Sequence, residues 1–309
     1  MTELVSSKSK NLNKKKVQIF EKTNMKPIEF VIYIVLPLLP LIVFWFFPMI
    51  VSFLISFTDW DYISPNYNLV NFSNYSEILS SGEFLQALKN TVVFGFATVI
   101  PTLILGFIFA LLLEGNIKFK SLFKSFLFSP WITPMVAMSI VWSWMFRPDI
   151  GLINKILSVF GAKGPAWLSD PTFAMLAVII VTVWKNAGRA MIFYTDTMAK
   201  IPKELFEVGS LEGMTFFQKI KYIYLPQTRN TSFFLLIINL ISSIQAYDQF
   251  SVLTGGGPSG TTRTLLYLFY QMAFEQFNMG KATAVSVIIV IITALLSIMM
   301  YLVRKRSEK

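Results

Sequence analysis

Six apolar runs, each longer than the ~20 residues a helix needs to cross a bilayer, constrain this chain more than any other feature. They lie near 30–57, 90–113, 125–146, 172–198, 232–253 and 282–303. The first is too long for the core of a signal peptide and lacks a small-residue cleavage site, so it is expected to remain as an anchor. Of the 309 residues, 54% are hydrophobic and only 14% charged, and the mean hydropathy is +0.60. Soluble proteins rarely have this composition. The expected fold is all-α, a polytopic membrane protein with six transmembrane helices spanning 30–303, between a basic tail at 1–29 and a short basic tail at 304–309.

The net charge of +10 does not indicate nucleic acid, because the basic residues lie in short segments between the apolar runs. Nineteen of the 27 lysines and arginines fall in the segments on one side of the expected membrane and six on the other; Lys185 and Arg189 fall within the fourth run. The positive-inside rule then places both termini and the 200–229 loop in the cytoplasm. The chain has no cysteine and no histidine. Disulfides, thiolate metal sites, histidine triads and the commonest proton carrier are thereby excluded.

The 202–226 segment, PKELFEVGSLEGMTFFQKIKYIYLP, is the longest polar interruption in the second half. Pro202 suits a first helical turn, and Glu204 favours the positive end of the helix dipole. Gly209 keeps one side of that helix narrow, and Gly213 falls where a reversal needs positive φ. Thr215 and Gln218 have capping-box spacing. Phe216, Ile220 and Ile223 then form an apolar stripe, which Pro226 is expected to stop. Two short helices around a glycine, between two spans, have the shape of a docking element.

The spacing Glu207-Val208-Gly209, Gly213, Ile223-x-Leu225-Pro226 resembles the EAA loop, E-A-A-x3-G-x9-I-x-L-P, of the permease subunits of binding-protein-dependent ABC importers. Val208 and Gly209 replace its two alanines. Ile201 to Leu205 is similar to the sugar-permease form of the motif. Asn68-Leu69-Val70-Asn71-Phe72, Phe84 to Thr91, Pro130-Trp131-x-x-Pro134, Gly151 to Asn154 and the Thr254-Gly255-Gly256-Gly257-Pro258 turn follow in the order of maltose-type sugar permeases. The resemblance implies an importer subunit in a bacterial cell membrane, driven through its EAA loop, with Glu204, Glu207, Val208, Gly209, Gly213, Ile223, Leu225 and Pro226 as coupling residues. It implies partnership with a second homologous permease, two ABC ATPase subunits, an extracellular solute-binding protein and membrane lipid, and not with nucleic acid. ATP and magnesium would sit on the ATPases, so this chain would bind no cofactor and would not be an enzyme.

The candidate solute path collects the polar residues of spans four and five: Lys185, Asn186, Arg189, Asn239, Ser242, Ser243, Gln245, Tyr247 and Asp248. Ionisable groups at membrane depth mark a pathway or a paired contact. Lys185 and Arg189 could instead bond Asp248, or carbonyls where a span is broken. Asn239, Ser242 and Ser243 share one helix face and could join helices rather than touch solute. Trp142 and Trp144 could stack on sugar rings or anchor a span end. The turn at Gly255, Gly256, Gly257 and Pro258 lacks the lysine and helix of a P-loop. The expected solute is a sugar or oligosaccharide, with room for an acidic one. The alternatives are another polar solute such as a glycerol phosphate ester, or ion-coupled transport, for which Asp248 is the only candidate acid well inside a span.

Overall fold

The computed structural model describes Ile28 and residues 31–115 and 117–307. Apart from Ile28, the expected tail at 1–29 lies outside them, as do Phe30, Asn116 and the last two residues. Among the described residues there is no strand, only an isolated antiparallel bridge between Thr58 and Leu69. The chain divides after Leu54 into two compact units. The described part of the first is mainly an apolar helix, α1 (Ile32–Ile55). Within it, π turns at Val31–Val35 and Ile42–Phe46 each end two residues before a proline, Pro37 and Pro48.

The second unit begins with a polar loop. Asn74, in the helix that follows it, donates from its side-chain amide to the carbonyls of Ser56 and Thr58. After α2 (Ser73–Ser80) comes the long α3 (Gly82–Leu112), whose first turn is capped by Ser81 accepting from the Phe84 N–H. This helix starts eight residues before the apolar run, because Ser81 and Glu83 supply an N-terminal signal that hydropathy does not register. Next come α4 (Lys120–Ile132), α5 (Met135–Met145), α6 (Leu152–Val159) and α7 (Ala174–Met198). Helices α3 and α7 pack closely: a Cβ on Gly106 would lie 2.5 Å from the Ala190 Cβ. Helix α4 approaches α7 through Gly188, where a Cβ would lie 1.8 Å from the Leu127 carbonyl oxygen. Small residues allow such contact between membrane helices.

Three apolar clusters run through this unit. One gathers Ile78, Phe84, Leu265, Leu268 and Val285; a second gathers Phe94, Phe146, Val178 and Phe250; a third gathers Ala110, Met191, Tyr194, Ile223 and Leu235.

The six transmembrane helices expected from the apolar runs do not appear as six long rods. Among the described residues, four helices are long and apolar enough to cross a membrane: α1, α3, α7 and Met279–Lys305 within α13 (Met279–Ser307). The pair α4 and α5 would make a fifth, but it is bent by 98°. Pro134 has no N–H and biases Thr133 to extended backbone, so the helix breaks there. The 232–253 run is not one rod either. Its helix ends at Ile244, and a new one, α11 (Asp248–Leu253), starts after Gln245, Ala246 and Tyr247. The polar groups clustered at 245–248 line a cavity where freed backbone can be solvated. The expected tail at 304–309 continues α13 as helix through Ser307.

Candidate functional site

Two features stand out, a polar cavity within the bundle and a helix–turn–helix beyond its end. In the second feature, α8 (Lys203–Leu211) starts one residue later than expected, with Pro202 as its N-cap and Glu204 in its first turn. It closes in a Schellman motif: the Met214 N–H donates to the Gly209 carbonyl at 2.8 Å and the Gly213 N–H to that of Ser210 at 3.2 Å. Gly213 has φ +69°, where an L-residue is strained. Gly209 is buried, and a Cβ there would lie 3.1 Å from the Met214 sulfur and 3.5 Å from Ile223 Cδ1. The flexible Met214 thioether is thus the nearest contact that a side chain there would meet.

The second arm opens with the capping box of Thr215 and Gln218. Lys219 ties the arms by donating to Ser210 Oγ at 3.0 Å. Phe206 packs on Tyr224 with ring centroids 5.3 Å apart. Ile223 is buried, whereas Leu225 and Pro226 are exposed. The far side presents Val208, Phe216, Leu211 (89% exposed) and Phe217 (80% exposed) to solvent, beside Glu204 and Glu207. The bulk of Val208 is therefore no obstacle.

Pro226 does not stop the second arm, contrary to the sequence reading. Helix α9 (Phe216–Lys219), a π turn (Ile220–Tyr224) and α10 (Leu225–Ile244) form one uninterrupted helix, 216–244. The Leu225 N–H donates to the Ile220 carbonyl, five residues back. The wider turn makes room for a proline ring that regular α geometry would push against the preceding turn.

The cavity, of about 230 Å³, lies between α3, α7, α10 and the break before α11. Lys185, Asn186, Asn239, Ser242, Ser243, Gln245, Tyr247 and Asp248 all line it. Sequence reading missed Thr98, Thr102, Thr182, Met135 and Gln249, which line it too. Thr98 and Thr102, four residues apart on one face of α3, were the available signal. Arg189 lies behind this lining: it donates to Asn239 Oδ1 at 2.6 Å, and its guanidinium stacks on Trp131 at 4.0 Å. Asn239 in turn donates to the Leu235 carbonyl.

The Lys185 ammonium donates to the carbonyls of Pro130 (2.9 Å), Trp131 (3.2 Å) and Thr133. These are the acceptors that the break at Pro134 leaves without helical donors. Of the sequence alternatives for Lys185, bonding to broken-span carbonyls is the one realised; among the described residues neither Lys185 nor Arg189 is paired with Asp248.

Trp142 packs edge-on against Trp184 at 5.4 Å, and Trp144 is exposed. The glycine turn stands apart from the cavity lining. Gly255 and Gly256 have positive φ, and a Cβ on Gly256 would collide with the Tyr267 ring at 2.4 Å. That close seating explains the glycine.

Residues 102–309 match the family described as "Binding-protein-dependent transport system inner membrane component". The chain belongs to this family. It is 31% identical over 267 residues, 85% of this chain and 91% of the other, to the probable ABC transporter permease protein YurN of Bacillus subtilis. It is 32% identical over 247 residues, 80% of this chain and 82% of the other, to the trehalose/maltose transport system permease protein MalF of Thermococcus litoralis. A solved bacterial alginate ABC transporter, in complex with alginate pentasaccharide-bound periplasmic protein, shares the fold. Its TM-score is 0.73 at 19% identity, over 96% of each chain. Membership in this family and four long apolar helices make this chain an integral membrane component of an ABC importer.

Proposed function

We propose that this chain is one transmembrane permease subunit of an ATP-driven importer that passes a sugar or oligosaccharide through the polar cavity. One observation carries the reading: the exposed docking element and the cavity share a helix. Residues 216–244 run unbroken from Phe216, beside the Gly213 turn, to Asn239, Ser242 and Ser243 in the cavity lining. At 1.5 Å per residue, roughly 35 Å separate Phe216 from Asn239. A force on the docking element therefore reaches the cavity without a flexible joint.

In this reading the loop 200–229 is the EAA coupling element and faces the cytoplasm with both termini. The membrane domain has six spans, counting 120–145 and 225–253 as one interrupted span each. Two ATPase subunits, carrying ATP and magnesium, grip the apolar face of Val208, Leu211, Phe216 and Phe217. Glu204 and Glu207 rim that face, and closure of the ATPases moves the helix as a rigid body. A second homologous permease completes the path, and an extracellular binding protein delivers solute to the opposite end, where the Gly255–Pro258 turn lies.

The lining supports a neutral sugar over an acidic one or a glycerol phosphate ester. Hydroxyls and amides of Thr98, Thr102, Asn186, Ser242 and Gln245 both donate to and accept from sugar hydroxyls. Lys185 directs its ammonium at main-chain carbonyls, and Asp248 would repel an anion. The sugar-transport name of the Thermococcus relative points the same way.

The test is Gly213→Asp in the assembled transporter. Aspartate tolerates left-handed backbone better than most residues, so the loop should keep its shape while a carboxylate enters the gripped face. Normal expression with at least a tenfold loss of sugar uptake and of solute-stimulated ATP hydrolysis is expected, roughly the cost of one buried unpaired charge. Uptake at the wild-type rate would sink the coupling role.

A further inference from the structure

A second cavity, of about 570 Å³, opens beside Pro226, where α3, α10 and the end of α13 meet. Two guanidinium-bearing side chains line it, Arg229 of α10 and Arg304 near the end of α13. The rest of the wall is largely apolar, with Leu103 from α3, Phe233 and Leu236 from α10, and Val303. Arg229, Phe233 and Leu236 are spaced i, i+4 and i+7, so they follow one helix face. Charge lies at one end of that stripe and hydrocarbon continues along it. Basic residues at span ends are ordinary topology signals, yet Lys305, adjacent to Arg304, does not line the cavity. A matching ligand is anionic at its head and apolar behind it.

We propose that this cavity binds an anionic phospholipid, its phosphodiester between Arg229 and Arg304 and an acyl chain along Leu103, Phe233, Leu236 and Val303. Basic pockets between membrane helices suit such headgroups, and guanidinium groups bind phosphate oxygens bidentately. Bound lipid bridges the start of α10 to the end of α13 and so braces the helix that leads into the docking element. The site lies at the docking-element end of the bundle and does not depend on the solute.

The test measures phosphatidylglycerol retained by the detergent-purified full chain, by mass spectrometry, for wild type and for Arg229→Gln/Arg304→Gln. The double variant should retain roughly tenfold less. In mixed-lipid nanodiscs the wild type should prefer phosphatidylglycerol over phosphatidylcholine of the same chains by a similar factor, a readout that survives if the variant fails to fold. Equal retention by wild type and variant, or no preference between the two lipids, overturns the proposal. Displacement of the lipid by millimolar inorganic phosphate would show a free-anion site and overturn it too. Unchanged lipid retention with loss of the co-purifying ATPase would reassign the arginines to a protein contact, again against it.

Discussion

Lys185 shows how one side chain holds a broken membrane helix together. Its ammonium donates to three carbonyls around the Pro134 break, and without it those acceptors would lose their shared donor. Lys185→Met should therefore destabilise the chain by about 2–4 kcal/mol, from orphaned buried acceptors, while Lys185→Arg keeps much of the stability. Thermal unfolding in detergent reads the difference; equal melting of Met variant and wild type would remove the brace. Outside the membrane, Asp59 accepts from the Asn68 backbone N–H and side-chain amide. Asp61 accepts from the backbone N–H groups of Ser64 and Ile63 and from the Ser64 hydroxyl. These bonds, the backbone ones foremost, hold both carboxyls below their ordinary range. A depressed pKa contributes stability above the unfolded value, lost as pH falls through the folded one. Protease nicking at 59–68 should stay flat from neutrality down to about pH 4 and rise only below it; a rise between pH 7 and 5 would contradict this. The role of Asp59 was not legible in the sequence, because its partner nine residues on is fixed by the fold of the loop, whereas Asp61 bonds locally to Ile63 and Ser64. The carbonyl partners of Lys185 were legible as one of two options.

At the level of elements, the misread signal was Pro226. A proline can end a helix or occupy the first turn of one, and nothing in its neighbours distinguishes a stop from a π turn followed by more helix. The same device appears before Pro37 and Pro48. The docking turn, by contrast, was readable almost atom by atom, since Gly213 and the Thr215–Gln218 pair act through local backbone geometry. Replacing Pro226 by alanine should let the Ile220–Tyr224 segment relax to α geometry, rotating the docking element about the helix axis by up to ~100°. Expression should hold or improve, while sugar moved per ATP hydrolysed falls in proteoliposomes; an unchanged ratio would count against a role for the wider turn. Gly209→Ala tests the neighbouring contact. Met214 is flexible enough to yield a few tenths of an ångström, so a helix gain of about 0.4–1 kcal/mol should appear as a higher melting temperature with coupling intact.

For the whole molecule, hydropathy located the membrane helices because burying apolar side chains in lipid is a bulk property of each run. The interruptions were hidden because they depend on where cavities and orphaned carbonyls fall in three dimensions. Orientation is open to direct test, since the native chain has no cysteine. Lys118→Cys places a thiol at an exposed position between α3 and α4, outside the gripped face but on the same expected side, and a membrane-impermeant maleimide should label it only after cells are permeabilised. Labelling of intact cells would invert the proposed topology.

The unbroken helix 216–244 also carries information in the reverse direction. A stiff pole tilted by 10° about one end shifts a point roughly 35 Å away by about 6 Å, comparable to the width of a sugar ring. If the proposed coupling holds, thermodynamic reciprocity requires that a solute favouring one tilt bias how readily the nucleotide-burning engine engages. In that importer, cargo occupancy would be sensed before fuel is consumed, with no messenger other than the pole itself.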